Sequence, residues 1–358
     1  MTSVTSSATL FWVASRLTDP PCEVDRAYKQ FLIAKKVGNY SAEAYHSLEM
    51  VWYAALTLLT ALPGIILRAA AIQLQENPYQ YLQGNGAEKT AEGSLSLLSW
   101  NVCGVGGGFT ISDGGVTPFP ERVGAVADAI LKQDADVVCL YELMDNGTTL
   151  EMVEKLKETY AHIYFNIGPQ AMGPNSGIFV ASKVPLDNFS FTPFPKDHLD
   201  GRSKPAEKGF VSFNAGDVAQ IFATHLGHSE ICGQPTDKEV TSRKNQMSDL
   251  MEEVRKVKDL PAIVTGDLNL SYKELQNSDW HTEFNEVEFH PTWGGDQYCA
   301  LLMEKEISDK IMYDYTLLYN NNHGSIQDLT YLETGYDATT YSPDALSDHK
   351  GVYTVITT

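Results

Sequence analysis

Several short apolar runs in this chain stop at residues suited to metal or phosphate chemistry, and this pattern constrains the fold more than any other feature. Residues 95–100 end at Asn101, 136–141 at Glu142, and 219–224 at His225. Residues 262–264 lead through Thr265 and Gly266 to Asp267 and Asn269, and Asp348-His349 stands just ahead of the apolar run 352–357. Runs of this length, rich in β-branched residues, read as buried strands. Residues two apart in an extended backbone share a face, so Asp267 and Asn269 aim a carboxylate and a carboxamide at one point. Each signal alone has a plain structural reading: Gly266 to Asn269 as a turn closed by an Asx-type hydrogen bond, His225 as a satisfied structural residue. Together they place a site at the ends of several strands, where short loops hold side chains on a rigid scaffold.

Helical segments alternate with these runs. Val123, Val126, Ala127, Ile130 and Leu131 repeat at helical spacing, as do Met247, Leu250, Met251 and Val254. Thr148 with Glu151, and Thr236 with Glu239, each spell a capping box. Further strands are expected at 177–182, 209–214 and 313–319. The glycine-rich stretch 104–115 lacks the spacing and trailing lysine of a phosphate-cradling loop and reads as surface loop. Arg243 and Gln246, three apart on one helix, suit packing or a surface pair better than the site.

Residues 1–85 differ in character. Residues 8–14 are apolar but short, and no basic segment precedes them, so no cleavable signal peptide is expected. Residues 50–67 carry no charge over about eighteen positions, near the lower limit for a membrane span. Trp52 and Tyr53 at one end and Tyr79 and Tyr81 beyond the other would suit an interfacial aromatic belt. Pro63-Gly64 could bend the segment; the alternative is a helix buried against the rest of the chain. The polar, glycine-containing residues 86–93 read as a linker to a domain spanning 94–358.

With 46 acidic and 26 basic residues the net charge is −20, which disfavours clamping a nucleic-acid backbone. It does not exclude phosphate chemistry, because a bound cation reverses the local field. The five cysteines have no metal-ligand spacing and read as mostly free thiols of a reducing compartment, with one disulfide as the alternative and Cys139 in the core.

Cys139-Leu140-Tyr141-Glu142-Leu143-Met144-Asp145-Asn146, the segment from Asn175-Ser176-Gly177 to Lys183-Val184-Pro185, Lys208-Gly209-Phe210-Val211, Thr224-His225-Leu226 and Ser347-Asp348-His349 occur in this order. The series resembles the endonuclease/exonuclease/phosphatase (DNase I-like) superfamily over residues 94–358, and within it the neutral sphingomyelinases. The resemblance implies a four-layer α/β sandwich behind an N-terminal helical hydrophobic region associated with a membrane surface. It implies a Mg²⁺-dependent phosphodiesterase, with Mn²⁺ as an alternative ion, acting on a phospholipid such as sphingomyelin to give ceramide and phosphocholine. No nucleic-acid partner is expected. A nuclease or inositol-polyphosphate phosphatase on the same core, and a catalytically silent interaction module, are the competing readings.

By resemblance, Glu142 holds the metal, with Asn101 and Asp348 close to the ion or its waters. His349 is the general base, oriented by Asp314. Asp267 orients the attacking water, Asn269 and Lys208 contact the substrate, and His225 donates to the phosphate or leaving group. The sequence departs from the pattern at Tyr141, where glutamine is usual, and at Gly227-His228-Ser229-Glu230. Asp197 and Asp200 also lie farther from Lys208 than the family's paired aspartate does.

Overall fold

The computed structural model describes residues 6–36, 38–104, 116, 119–144, 146–229, 235–293, 311–320, 323–336 and 344–358. The glycine-rich stretch 105–115 and Cys232 and Cys299 lie outside them. Among the described residues the expected strands assemble into two sheets. The first contains β1 (Gln80–Gln83), β2 (Ser94–Asn101), β3 (Val137–Tyr141), β4 (His162–Phe165) and β5 (Phe179–Ser182). The second contains β6 (Leu186–Pro193), β7 (Gly209–Ala215), β8 (Ala219–His225), β9 (Ala262–Asp267) and β10 (Asp314–Leu318). β11 (Ser325–Leu332) and β12 (Gly351–Thr357) return to the first sheet, giving the orders β1-β4-β5-β3-β2-β12-β11 and β10-β9-β8-β7-β6.

Only β2–β3 and β8–β9 pair in parallel, near the middle of their sheets; the other described pairs are antiparallel. Leu97, Cys139, Val211, Ile221, Ile263 and Ile356 fill the space between the sheets. Helix α4 (Phe119–Gln133) buries Val123, Val126 and Ile130 on the outer face of the first sheet, and α5 (Asn146–Leu156) joins it there. Helix α6 (Asp237–Val254) buries Met247, Leu250, Met251 and Val254 on the second, near Phe222 and Val264. The result is the four-layer sandwich, helix–sheet–sheet–helix. Each such side chain, fully buried, contributes roughly 1.5–3 kcal/mol.

Thr236 and Glu239 form the expected reciprocal box at the start of α6. The expected box at Thr148 is displaced: α5 already begins at Asn146, so Thr148 lies inside its first turn and cannot be the cap. Arg243 and Gln246 are buried rather than on the surface. Arg243 pairs with Glu274 at 2.8 Å, and Gln246 accepts the Gly227 N–H at 2.9 Å.

The N-terminal region folds as α1 (Ser6–Thr18), α2 (Pro20–Lys36) and the long α3 (Tyr40–Gln73), which continues through Pro63. Helices α1 and α2 both pack on α3. Gly64 permits the closest approach: a Cβ there would lie 2.7 Å from the Thr18 methyl. On the far side of α3, Leu48, Val51, Trp52, Leu58, Leu59, Leu62 and Ile66 are exposed. The alternative of a buried helix is therefore not what forms. Tyr79 and Tyr81 do not flank α3 as a belt. Tyr79 packs edge-on against Tyr164 and Phe189, and the Tyr81 hydroxyl meets His162 Nδ1 at 2.9 Å. The first sheet thus takes strand β1 from residues ahead of 86–93. That segment is itself held to the sheet, through Lys89 to Asp136 at 2.5 Å and the Lys89 N–H to the Lys183 carbonyl at 2.8 Å.

Candidate active site

The strand directions bring the polar ends together. Because β2 and β3 run parallel, Asn101 and Glu142 leave the first sheet at the same end. Because β8 and β9 run parallel, His225 and Asp267 lie side by side in register at the end of the second. Strand β10 is antiparallel to β9, so its first residue, Asp314, pairs with Asp267. Likewise β12 is antiparallel to β2, which puts Asp348-His349, just ahead of it, beside Asn101. The fold converts sequence-distant residues into one cluster.

Asn101 is its hub. Its Nδ2 donates to Glu142 Oε1 at 3.0 Å and to Asp267 Oδ2 at 2.9 Å, while its Oδ1 accepts the Cys103 N–H at 3.0 Å. The expected turn hydrogen bond also exists: Asp267 Oδ1 accepts the Asn269 N–H at 2.9 Å, leaving Oδ2 for the site. The local turn and the site thus use different oxygens of one carboxylate. Asn269 donates from Nδ2 to the Leu226 carbonyl at 3.2 Å. His349 Nδ1 meets Asp314 Oδ2 at 2.8 Å, and its Nε2 lies 3.8 Å from Asp267 Oδ2. His225 Nε2 is 3.6 Å from Asp267 Oδ2 and 3.8 Å from Glu142 Oε1, and neither ring nitrogen has a hydrogen-bond partner among the described residues. Glu142 holds a left-handed φ of 69°, the kind of backbone strain that recurs at functional sites.

Burial and charge set the protonation pattern. Burial raises Glu142, with the Asp348 carboxylate adding to it, and pushes Asp267 up to about 7. Burial drives His225 well below its usual range, so it is neutral. Burial alone would lower His349 too, but the carboxylates of Asp314, Asp348 and Asp267 outweigh it and hold the imidazole well above the usual range. Lys208 is buried with its Nζ on the Leu226 carbonyl at 3.3 Å; burial draws it down to about 8 against the pull of Glu142 and Asp267. Asp200, the nearer of the two upstream aspartates, pairs instead with Lys238 at 2.8 Å.

The donor set fits a hard divalent cation. One ligand atom each from Glu142, His225 and Asp267 lie within 4.8 Å of one another, as do those of Asp267, Asp314 and His349. Crowded carboxylates in a buried setting repel, and a cation between them removes that cost. Asn101 accepts the Cys103 N–H on its carbonyl oxygen and orients the two carboxylates through Nδ2. Asp348 accepts from Trp293 Nε1 at 3.3 Å and belongs to neither candidate group.

Further residues support the site, and of these Arg122 and Thr292 escaped the sequence reading. Buried Arg122, on α4, donates to the carbonyls of Val102 (2.7 Å), Cys103 and Leu346, tying the loop after β2 to the one before Ser347. Its position one turn from Phe119 and Val126 was the available signal. Thr292 Oγ1 accepts the N–H groups of Tyr313 and Asp314 at 3.1 and 3.0 Å. Ser347 Oγ donates to the Asn101 carbonyl at 2.7 Å, and Trp100 Nε1 to the His349 carbonyl at 3.0 Å. In place of the usual glutamine, Tyr141 sets its hydroxyl between Ser99 Oγ (3.1 Å) and the Thr265 carbonyl (3.3 Å), one in each sheet.

Residues 98–349 match the family model described as Endonuclease/Exonuclease/phosphatase family. The chain belongs to this family. Sphingomyelin phosphodiesterase 5 of Danio rerio is 25% identical over 160 residues, 39% of this chain and 29% of that protein. The chain thus matches under a third of the length of that curated relative. A mutant beta toxin of Staphylococcus aureus with bound magnesium ions has a TM-score of 0.53 at 18% identity, covering 73% of this chain and 99% of the other. TDP2 of Danio rerio complexed with single-strand DNA product has a TM-score of 0.51 at 16% identity, covering 75% and 100%. At these identities the two structures establish the shared endonuclease/exonuclease/phosphatase fold.

Proposed function

We propose that the chain is a Mg²⁺-dependent phosphodiesterase that hydrolyses a phospholipid headgroup, with sphingomyelin as the substrate. The observation that carries the reading is the buried network in which one amide, Asn101, joins Glu142 to Asp267 with His225 and His349 alongside. It supplies an ion-holding carboxylate pair, a neutral imidazole and a carboxylate-backed imidazole within one cluster. The named Danio rerio relative supports the lipid substrate, and the magnesium-bound toxin supports the ion.

Glu142 and Asp267 would hold the cation, with His225 facing it. When bound, the cation absorbs charge on the phosphate oxygens and offsets the carboxylate field around His349. Asp314 fixes the His349 ring through Nδ1, so Nε2 is the atom that takes the proton from attacking water. The surrounding carboxylates stabilise the imidazolium that results. Asp267 Oδ2 orients that water, and Asn269 and Lys208 present N–H donors to the phosphate. Neutral His225 donates a hydrogen bond from one ring nitrogen to the leaving oxygen, which takes its proton from solvent as the P–O bond breaks. We place the membrane-associating part in residues 1–85 and the catalytic part in 94–358, with the former holding the enzyme at the lipid surface.

The test is to incubate the purified full chain with sphingomyelin, phosphatidylcholine, a phosphoinositide and single-stranded DNA, with Mg²⁺ or with chelator. Phosphocholine release from sphingomyelin, abolished by chelation, is expected. Faster cleavage of DNA than of any lipid would overturn the reading.

A further inference from the structure

Hydrogen-bonded ladders fix distances within each sheet, but the two sheets meet across apolar side chains, whose attraction is nondirectional. The candidate site straddles that boundary: Asn101 and Glu142 stand at strand ends of the first sheet, and Asp267 ends a strand of the second. A hydrogen bond from one sheet to the other adds a distance and a direction that apolar packing does not specify.

Tyr141 makes such a bond. Its fully buried side chain lies with Val137 and Cys139 between the sheets. The hydroxyl gives its one proton to the Thr265 carbonyl at 3.3 Å, because a carbonyl can only accept. The Ser99 hydroxyl, 3.1 Å from the phenol oxygen, is therefore the donor to it. These residues stand one step behind the site. Ser99 is two residues before Asn101 on β2, Thr265 two before Asp267 on β9, and Tyr141 immediately precedes Glu142. The layer Ser99–Tyr141–Thr265 thus joins the same strands as the layer Glu142–Asn101–Asp267 in front of it. The Tyr141 ring also meets His225 edge-on, with centroids 6.4 Å apart, and among the described residues no hydrogen bond fixes that imidazole.

We infer that Tyr141 is a positioning residue: its hydroxyl sets the separation of Glu142 and Asp267 across the two sheets, and with it the affinity of the site for a divalent cation. The inference rests on the ion-holding role proposed for that carboxylate pair. Mg²⁺ tolerates little error in oxygen ligands placed about 2.0–2.1 Å away, so loss of a tie behind them should show in affinity before it shows in the fold. Tyrosine stands here where the family pattern has glutamine, so the tie is a feature of this chain.

The experiment measures Mg²⁺ binding to the full chain by calorimetry, without substrate, for wild type, Tyr141→Phe, Ser99→Ala and Ile221→Val. Tyr141→Phe keeps the ring against His225 and removes only the hydroxyl, and Ser99→Ala removes its donor. Ile221→Val thins the same inter-sheet core four residues before His225 and controls for general loosening. Tyr141→Phe should weaken Mg²⁺ binding by about tenfold, and Ser99→Ala should act in the same direction by less. Ile221→Val should lower the melting temperature at unchanged affinity. Excess Mg²⁺ should return the turnover of Tyr141→Phe toward wild type, with KM unchanged. Equal Mg²⁺ affinity in wild type and Tyr141→Phe, or an equal loss in Ile221→Val, would overturn this inference alone. If Tyr141→Phe fails to fold, wild-type affinity in Ser99→Ala overturns it. Wild-type protein that binds no Mg²⁺ would overturn the ion-holding reading and this inference together.

Discussion

His349 and Asp314 work as one unit, because the 2.8 Å contact at Nδ1 decides which nitrogen faces the reaction. His349→Ala should reduce turnover by roughly 10²–10⁴-fold, the usual worth of positioned proton transfer. Asp314→Ala removes the acceptor that fixes the ring, and the double variant should be no slower than the worse single one. Steady-state rates on protein with an unchanged circular dichroism spectrum check this; losses that multiply would show independent roles. A different carboxylate reports on the fold. Asp136 Oδ2 accepts from the N–H and hydroxyl of Ser96 at 2.9 and 2.8 Å, and Oδ1 faces Lys89. Burial alone would raise it, but these donors outweigh burial and hold it below the usual range. A depressed folded-state pKa means stability present above the ordinary value and lost as pH falls through the folded one. Asp136→Asn should therefore cost about 1–3 kcal/mol at neutral pH, shrinking toward zero in acid below pH ~4. Urea unfolding of both proteins across that range measures it.

At the scale of elements, β8 and β9 place His225 against Asp267 only because Gly266 lets them close. Its φ is 145°, and a Cβ there would stand 1.8 Å from the Thr224 carbonyl oxygen. Gly266→Ala should force the strand ends apart, costing about 3 kcal/mol and most activity. A thermal melt that matched wild type would show that the strands tolerate the separation. The same strands show what the sequence could disclose. Residues 136–141 and 262–264 were legible because continuous apolar, β-branched runs have few alternatives to a buried strand. β11 was not: Gln327, Asp328, Leu329 and Thr330 are all exposed, and its order comes from pairing along the whole of β12. β1, four residues long, is likewise defined by its partner β4 and by Tyr79 on Tyr164. The site divides in the same way. Strand-end residues such as Asn101 and Asp267 were readable from local pattern. Arg122 with Leu346 and Trp293 with Asp348 are contacts between distant segments, which no local pattern encodes.

For the whole molecule, the proposed lipid substrate requires that a chain of net charge −20 reach a membrane surface. Anionic headgroups would repel it, so attraction must come from apolar surface. Among the described residues α3 is the one helix long and apolar enough to cross a membrane, and very little of that apolar stretch is buried. Its exposed Leu48, Trp52, Leu59, Leu62 and Ile66 fall on one face by helical spacing, while Gly64, Arg68 and Ala71 turn toward its neighbours. A one-sided helix of this kind suits insertion of a face rather than immersion on all sides. Among the described residues, its region meets the sandwich through Arg68 Nη2 to the Gly173 carbonyl at 3.2 Å and through α1 against α5. Where the chain is cut therefore matters. A chain beginning at Asn77 keeps Tyr79 and β1, and should stay soluble, hydrolyse detergent-dispersed substrate at the full rate and lose most liposome binding. A chain beginning at Glu92 also loses β1 and the Lys89–Asp136 pair, leaving β4 as a bare edge. It should melt at lower temperature and aggregate. Liposome flotation, melting temperature and dispersed-substrate rate on the three proteins separate anchoring from folding. Loss of dispersed-substrate activity in the Asn77 chain would show that the helices serve the catalytic core, and failure of the full chain to float would remove the membrane role.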